Sequence, residues 1–378
     1  MEYLNSFFSN FYILIILSGC FAYFLSKKIF TAIIYISKTK NLMDVPGNRS
    51  MHSKVTATLG GVGIFIIFSL TLIVFSILTQ QSQQHLLKLM SLFFGIILLL
   101  FLGIKDDLLV LSPKKKLLGQ ILSSSIVVLL TDLRIKDFGG LFGIGEIHPV
   151  LSIVLSIFFI VFIINAFNLI DGIDGLAGSI AIIASITFGI YFVIYEDYLM
   201  ASISCILIGS ILRFLSYNLS ANQKMFMGDS GSMFIGFLLA FQALSLLQIN
   251  FSLKEVISFN SVFLVVFGIL AFPIIDTIRV FFIRLKEGRS PFSADKKHIH
   301  HKLLELGLNH ISATSMICFT SIVVIVASQF IDMLSLNVHL QLLLMVALVS
   351  FMYSFPFIIL KRKQKIKLFY PRLAQLLF

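Results

Sequence analysis

Residues 165–178 read NAFNLIDGIDGLAG and follow a run of fifteen uncharged residues, VLSIVLSIFFIVFII. Two amides and two carboxylates, each three residues after the last, stand where an apolar segment ends. Carboxylate and amide oxygens are ligands for hard cations and partners for polar substrates. Residues three apart on a straight helix drift back by about 60° per step. Asn165 and Asn168 can therefore share a face with Asp171 following, and Asp174 turns away unless the backbone breaks. Gly172 and Gly175 supply that break, so the stretch is expected to be a helix end running into a bent loop. The plainer reading is a polar helix cap facing water.

Other aspartates repeat the placement. Asp44, Asp106, Asp107, Asp171, Asp174, Asp229, Asp276 and Asp295 nearly all lie at or just beyond the end of an apolar segment. A carboxylate at membrane depth costs about 2.5–3.5 kcal/mol on insertion scales, so such residues are generally paired or functional. In LGIKDDLLVLSPKKKLLGQ, Asp106 and Asp107 diverge by about 100° on a helix, so one is expected to meet a reacting group or cation and the other to orient it. Lys116 and Gln120 share a face of the next helix. In MFMGDSGSMFIGF, glycines and serines open a helix whose free N–H groups would form an anion site, with Asp229 beside them as a magnesium ligand. The string GDSG also occurs in serine proteases, but Ser232 follows where a glycine is expected and no β-barrel pattern surrounds it. The loop RLKEGRSPFSADKKHIHHKLLELG brings Arg284 and Arg289 together with His298, His300 and His301. With Asp295 the histidines could be a zinc site, but the spacing is unspecific, and a phosphate- or nucleotide-binding lid fits the basic content better. A second basic loop, NLMDVPGNRSMHSKVTATLGGVG, adds Asp44, Arg49, His52 and the pair Gly60–Gly61.

The elements that must position these groups are membrane helices. Of 378 residues, 58% are hydrophobic and 12% charged, against about 25% charged in soluble proteins. Apolar segments of membrane-spanning length recur along the chain. The expected fold is an all-α polytopic membrane protein with eleven spans at about 7–26, 59–78, 89–104, 117–133, 150–168, 176–195, 199–217, 231–249, 257–283, 312–331 and 340–360. Counting Lys and Arg between spans gives 25 on one side and 4 on the other, which makes the first side cytoplasmic, the N-terminus external and the C-terminus internal. The net charge of +11 then belongs to topology and anionic headgroups, and no nucleic-acid partner is needed. Cys20, Cys205 and Cys318 all fall inside spans and imply neither disulfides nor a metal cluster. No signal peptide is evident. One membrane domain is expected over 1–378, with cytoplasmic segments at about 27–58, 105–116, 169–175, 218–230 and 284–311. The ninth span is expected to bend at Pro273 and to border an apolar groove.

In order along one multispan chain, DVPGNRSMH, KDD with KLLGQ, NAFNLIDGIDGLAG, MGDSGSMFIGF, PIIDTIRV and GRSPFSADKKHIHH resemble the polyprenyl-phosphate N-acetylhexosamine-1-phosphate transferases. The resemblance covers roughly residues 40–310. It implies attack of undecaprenyl phosphate on the β-phosphate of a UDP-N-acetylhexosamine, most simply UDP-GlcNAc, with release of UMP. It implies Mg2+ (Mn2+ as the substitute) on Asp229, catalytic roles for Asp106, Asp107, Asp171 and Asp174, and substrate contacts from Arg49, His52, Lys116, Asn165, Asn168, Asp276, Arg284, His298, His300 and His301. A bacterial inner membrane, a cytoplasmic active site and the first step of an envelope glycan such as O-antigen or teichoic acid follow from the same resemblance. Membrane lipids are the other partners, and a homodimer is left open. Val55 and Ala57 stand where that group usually has prolines, which makes the turn less rigid. The alternatives are a magnesium-dependent prenyltransferase, whose DxxxD pairs are lacking, a phospho-MurNAc-pentapeptide transferase, which matches HIHH less well, and a transporter, whose repeats are not visible.

Overall fold

The computed structural model describes residues 11–44, 55–79, 81–109, 111–252, 262–290 and 297–369. Helices dominate them. In order, they are α1 (Phe11–Thr39), α2 (Gly60–Leu78), α3 (Gln83–Leu109), α4 (Pro113–Thr131), α5 (Pro149–Ile170), α6 (Leu176–Ile194), α7 (Tyr198–Asn218), α8 (Gly228–Ser252), α9 (Val262–Ile269), α10 (Ala271–Lys286), α11 (Ile299–Glu305), α12 (His310–Met333) and α13 (Val338–Phe369). The strands are two residues each: β1 (Met43–Asp44) pairs antiparallel with β2 (Thr56–Ala57).

Every expected span has its helix. Among the described residues nine helices are long and apolar enough to cross a membrane, and the bent pair α9–α10 makes a tenth. The eleventh, α4, carries three lysines in its first turn and serines in its middle. It buries Gln120, Ser123 and Ser124 while turning Leu118, Leu122, Leu129 and Leu130 outward. That inside-out distribution suits lipid surroundings, where burial in protein is the place for polar groups. The chain is thus a multi-pass membrane protein.

Two boundaries differ from expectation. Helix α1 continues to Thr39, thirteen residues past the expected end of its span. Lys27 and Lys28 mark where the chain leaves hydrocarbon, but nothing between them and Thr39 breaks a helix. The expected cytoplasmic loop 27–58 is therefore helix as far as Thr39. The span around Pro273 does bend, by 72°, at the break between α9 and α10. Leu270 caps α10, three residues before the proline. Pro273 has no N–H to give the carbonyl of Ile269, so the ladder fails there and the chain turns.

Helix α8 is the central post. Most of Gly228–Ile249 is buried, and Phe234, Phe237, Leu238, Leu239 and Phe241 are almost inaccessible. Its first turn meets two neighbours backbone to backbone. A Cβ on Gly61 of α2 would stand 2.1 Å from the nitrogen of Gly231, and one on Gly103 of α3 would stand 2.3 Å from Cα of Ser230. Gly60 and Gly61 also donate their N–H groups to the carbonyls of Phe226 and Met227 at 3.1 and 2.8 Å. Glycine is needed at these points for contact, since any side chain would force α2 or α3 away from α8.

Substituting Gly61→Ala or Gly103→Ala is therefore expected to destabilise the protein by about 1–3 kcal/mol, the range for overpacking. Thermal unfolding of purified protein in detergent checks this. Gly145, which has open space around its Cα, is the control, and Gly145→Ala should leave the transition where it was.

Candidate active site

The contact at the head of α8 places the acidic groups. Asp107 lies one turn beyond Gly103, and its carboxylate accepts from the N–H of Asp229 at 2.8 Å and of Ser230 at 3.2 Å. It thus caps α8 from a different helix, adding negative charge where the helix dipole is positive. The expected anion site at these N–H groups is corrected accordingly, because a side chain of the protein already occupies two of them. Asp106 points elsewhere, to Leu111 N at 2.6 Å and Lys116 Nζ at 2.9 Å. Lys116 is shared, standing 2.9 Å from Asp229 as well.

Asn168 on the last turn of α5 donates to Asp229 Oδ1 at 2.5 Å and to Ser232 Oγ at 2.8 Å. One turn back, Asn165 faces inward and donates to Gln120 Oε1 at 2.7 Å. The two amides share a helix face, as expected, but only Asn168 reaches the cavity. The backbone then leaves the helix at Asp171, and Gly175 takes a left-handed φ of 79°. Gly172 does not. Its constraint is spatial, since a Cβ there would stand 2.3 Å from Nε2 of His300.

Asp174 emerges on the far side of the loop, held by Lys224 Nζ at 2.7 Å and by His310 Nδ1 at 3.0 Å. Burial pushes its pKa up, but His310 and Lys224 outweigh it and hold the carboxyl below its ordinary value. Asn218 ties the loop down, accepting from Gly175 N at 2.7 Å and donating to the carbonyl of Met225 at 2.9 Å. Asp171 differs from the other three. Among the described residues its carboxylate has no hydrogen-bond or ion-pair partner. Burial, followed by the charges of Asp229, Asp107 and Asp174, pushes its pKa up to about 7.

These groups line a cavity of about 900 Å³ at one end of the bundle. Asp107, Asn168, Asp171, Asp174, Asp229 and His301 reach it; so do Asn218, Lys224, Phe226 and His310, which the sequence reading did not single out. The hairpin base, from Asn41 to Asp44 with Thr58, forms another wall. Arg49 and His52 fall outside the described residues. Ala57, which stands where the resembled group usually has a proline, lies in a strand, paired with Met43 and accepting from Phe226 N at 2.8 Å.

Several expected catalytic and substrate-binding residues stand away from the cavity. Asp106, Lys116 and Asn165 form the layer behind it. Asp276 is fully buried, receiving His298 Nδ1 at 2.8 Å, Ile299 N at 2.9 Å and Arg279 at 3.1 Å. His298 and Arg284 are buried too. His300 is inaccessible, and burial, then His301, pushes its pKa down to about 3. It is a neutral packing partner of Gly172 here and does not line the cavity, where a substrate contact had been expected of it. His301 is the histidine of the trio that lines the cavity. Nor do the three rings converge as zinc ligands: among the described residues no group of three or more His, Cys, Asp and Glu is arranged to hold a metal ion, and Asp295 is outside them.

Residues 89–247, which contain all of this machinery from Asp106 to Asp229, match the model described as glycosyl transferase family 4. Over 82% of both chains the protein is 32% identical to a probable undecaprenyl-phosphate N-acetylglucosaminyl 1-phosphate transferase of Bacillus subtilis. The chain belongs to glycosyl transferase family 4. It is 30% identical to a decaprenyl-phosphate N-acetylglucosaminephosphotransferase of Mycolicibacterium smegmatis, over 72% of this chain and 71% of the relative. An undecaprenyl-phosphate alpha-N-acetylglucosaminyl 1-phosphate transferase of Haemophilus influenzae is 31% identical over 75% and 77%. As a member of this family the protein is a membrane-bound phosphotransferase, and the cavity lined by its family-matched carboxylates is its candidate active site.

The transferase's Asp171 gives a pH signature. Its folded pKa, about 7, lies above the unfolded value near 4. The protonated form is favoured by folding, so this contribution is complete below about pH 4 and is lost as pH rises through about 7. In chelator, the melting temperature of the wild type should fall between pH 6 and 8 by more than that of Asp171→Asn. Equal slopes would show that Asp171 titrates normally.

Proposed function

We propose that the transferase moves N-acetylhexosamine 1-phosphate from a UDP-sugar, UDP-GlcNAc, to undecaprenyl phosphate, releasing UMP, at the cytoplasmic face of a bacterial inner membrane. The observation that carries this reading is the open Asp171 carboxylate among three engaged ones, in a cavity at the membrane end of a chain whose relatives are named for polyprenyl phosphates and N-acetylglucosamine. The split of 25 basic residues against 4 supports the cytoplasmic orientation.

The donor set supports magnesium. It consists of oxygens, and the crowding that raises Asp171 is what a hard divalent cation would relieve. Asp229 and Asp171 would hold it, and bound there it would neutralise charge on the donor's diphosphate. Lys224 and His310 offset Asp174, which keeps a third full negative charge from facing an anionic donor. Phe226 provides the phenyl surface among the described cavity residues, a face on which a uracil ring can stack. Of the two adjacent aspartates, Asp107 borders the cavity and Asp106 reaches it only through Lys116 and Asp229. Asp107 is therefore assigned to the lipid phosphate and Asp106 to positioning.

A phosphate monoester has its second pKa near 6, so the lipid nucleophile is largely dianionic at neutral pH. Its oxygen attacks the β-phosphorus of the donor, a new P–O bond forms, and UMP leaves with the electrons of the broken bridge. No protein nucleophile is required, and a single displacement is proposed.

Purified protein supplied with UDP-GlcNAc, polyprenyl phosphate and Mg2+ should release UMP, and UDP-MurNAc-pentapeptide should not replace the donor. Asp229→Asn and Asp107→Asn are each expected to lower turnover by about 100-fold or more, with donor binding retained in Asp107→Asn. Stoichiometric UMP without lipid, or a labelled sugar-phosphate on the protein, would refute single displacement. Absence of UMP release from every UDP-N-acetylhexosamine would refute the function itself.

A further inference from the structure

Away from the cavity, helices α1 and α7 carry a second concentration of unbalanced charge. They touch backbone to backbone, since a Cβ on Gly209 would stand 2.1 Å from the carbonyl oxygen of Gly19. One turn further on, Arg213 of α7 places its guanidinium 5.6 Å from the ring of Tyr23 on α1 and 5.6 Å from that of Tyr217. Both distances are within cation–π range, so the guanidinium is held beside both tyrosines at the α1–α7 seam. Its Nε is buried without a hydrogen-bond partner among the described residues. Tyr23, Lys27 and Thr31 follow one another at four-residue spacing on α1, and Thr31 Oγ1 lies 3.4 Å from the hydroxyl of Tyr217. Lys27 therefore projects from the same seam as Arg213.

Neither helix contains an acidic residue. Among the described residues no carboxylate pairs with Arg213 or Lys27, whereas Lys116, Lys224 and Lys88 all have acids. The flanks are apolar and outward-facing, with Phe24 73% and Leu212 46% exposed. Arg213 follows about fifteen residues of α7, roughly 23 Å of helix rise, which sets it near the headgroup boundary of a hydrocarbon layer about 30 Å thick. This is the end of α7 where Asn218 meets the cavity, but neither Arg213, Lys27, Tyr23 nor Tyr217 lines that cavity.

We propose that the notch formed by Arg213, Lys27, Tyr23 and Tyr217 binds the phosphate of an anionic glycerophospholipid, with the acyl chains lying along Phe24 and Leu212. The two tyrosines fix the guanidinium at the seam, where its remaining N–H groups can meet phosphate oxygens, and Lys27 supplies a second cation. The tyrosine and threonine hydroxyls give neutral donors at the same level. A lipid fits better than a soluble anion because the flanks are apolar. A bulk phospholipid fits better than polyprenyl phosphate, because none of the four notch residues lines the cavity that Asp107 and Asp171 border.

The test uses full-length protein in nanodiscs or mild detergent, titrated with phosphatidylglycerol or phosphatidylcholine, with bound lipid counted by native mass spectrometry and stability followed by melting temperature. Wild type should retain phosphatidylglycerol in preference to phosphatidylcholine and be stabilised by it. Arg213→Gln and Lys27→Gln should each weaken that binding about fivefold, as expected for one basic residue near an anionic lipid. If Arg213→Gln fails to fold, the exposed Lys27→Gln alone decides. Equal phosphatidylglycerol affinity in wild type and Lys27→Gln overturns the site, as does equal stabilisation by phosphatidylcholine. Inorganic phosphate protecting as well as the lipid, or polyprenyl phosphate displacing it at equal concentration, also overturns the assignment. None of these readings depends on turnover, so they remain distinct from failure of the proposed transferase reaction.

Discussion

The close seating of α8 between α2 and α3 is the contact on which the rest of the site depends. Three glycines, Gly61, Gly103 and Gly231, let the backbones approach closely at the junction. Only at that separation can Asp107 reach across from α3 and receive the amides of Asp229 and Ser230. The cap does two jobs. It satisfies backbone donors that would otherwise be stranded at a helix start, and it fixes Asp229 against α3 so that Lys116 can bridge Asp106 and Asp229. A few tenths of an ångström lost at Gly103 would be passed directly to those charged contacts.

The charge arrangement follows from that geometry. Besides Asp44 on the hairpin wall, four carboxylates, Asp107, Asp171, Asp174 and Asp229, border one cavity, and unrelieved they would repel each other strongly in surroundings of low dielectric constant. The protein answers each in a different way. A helix N-terminus takes Asp107, a lysine and an amide take Asp229, and a lysine and a histidine take Asp174. Asp171 is the remainder, and its raised pKa is the measure of that imbalance. Among these four, Asp171 is the carboxylate that no partner offsets.

Much of this was legible in the sequence because membranes restrict the choices. Apolar length located every span, and the three-residue spacing of Asn165, Asn168 and Asp171 put the amides and the first carboxylate on the correct side of α5. The proline rule located the bend to within three residues. What could not be read was tertiary partnership. Nothing in HIHH distinguishes His301, which reaches the cavity, from His298 and His300, which are packed away; the difference is set by how α11 rests on Gly172. His310 and Lys224 carry no local motif and acquire their role only because the loop turns Asp174 toward them. Asp106 and Asp107, adjacent in sequence, were separable only once the position of α8 was known.

The packed-away histidines explain how distant segments share one site. Asp276 lies three residues after Pro273, on the helix that the 72° bend redirects. Fully buried, it receives the ring of His298 and the N–H of Ile299 at the start of α11, while Arg279 from the next turn bonds both Asp276 and the carbonyl of Lys297. A buried carboxylate with three donors is a strong anchor, since removing any one partner strands charge in a nonpolar interior. The anchor holds α11 where His300 can press on Gly172 and His301 can border the cavity. The bend in a membrane helix therefore sets the height of the histidine segment above Asp171, and Gly172 lacks a side chain because the two must meet.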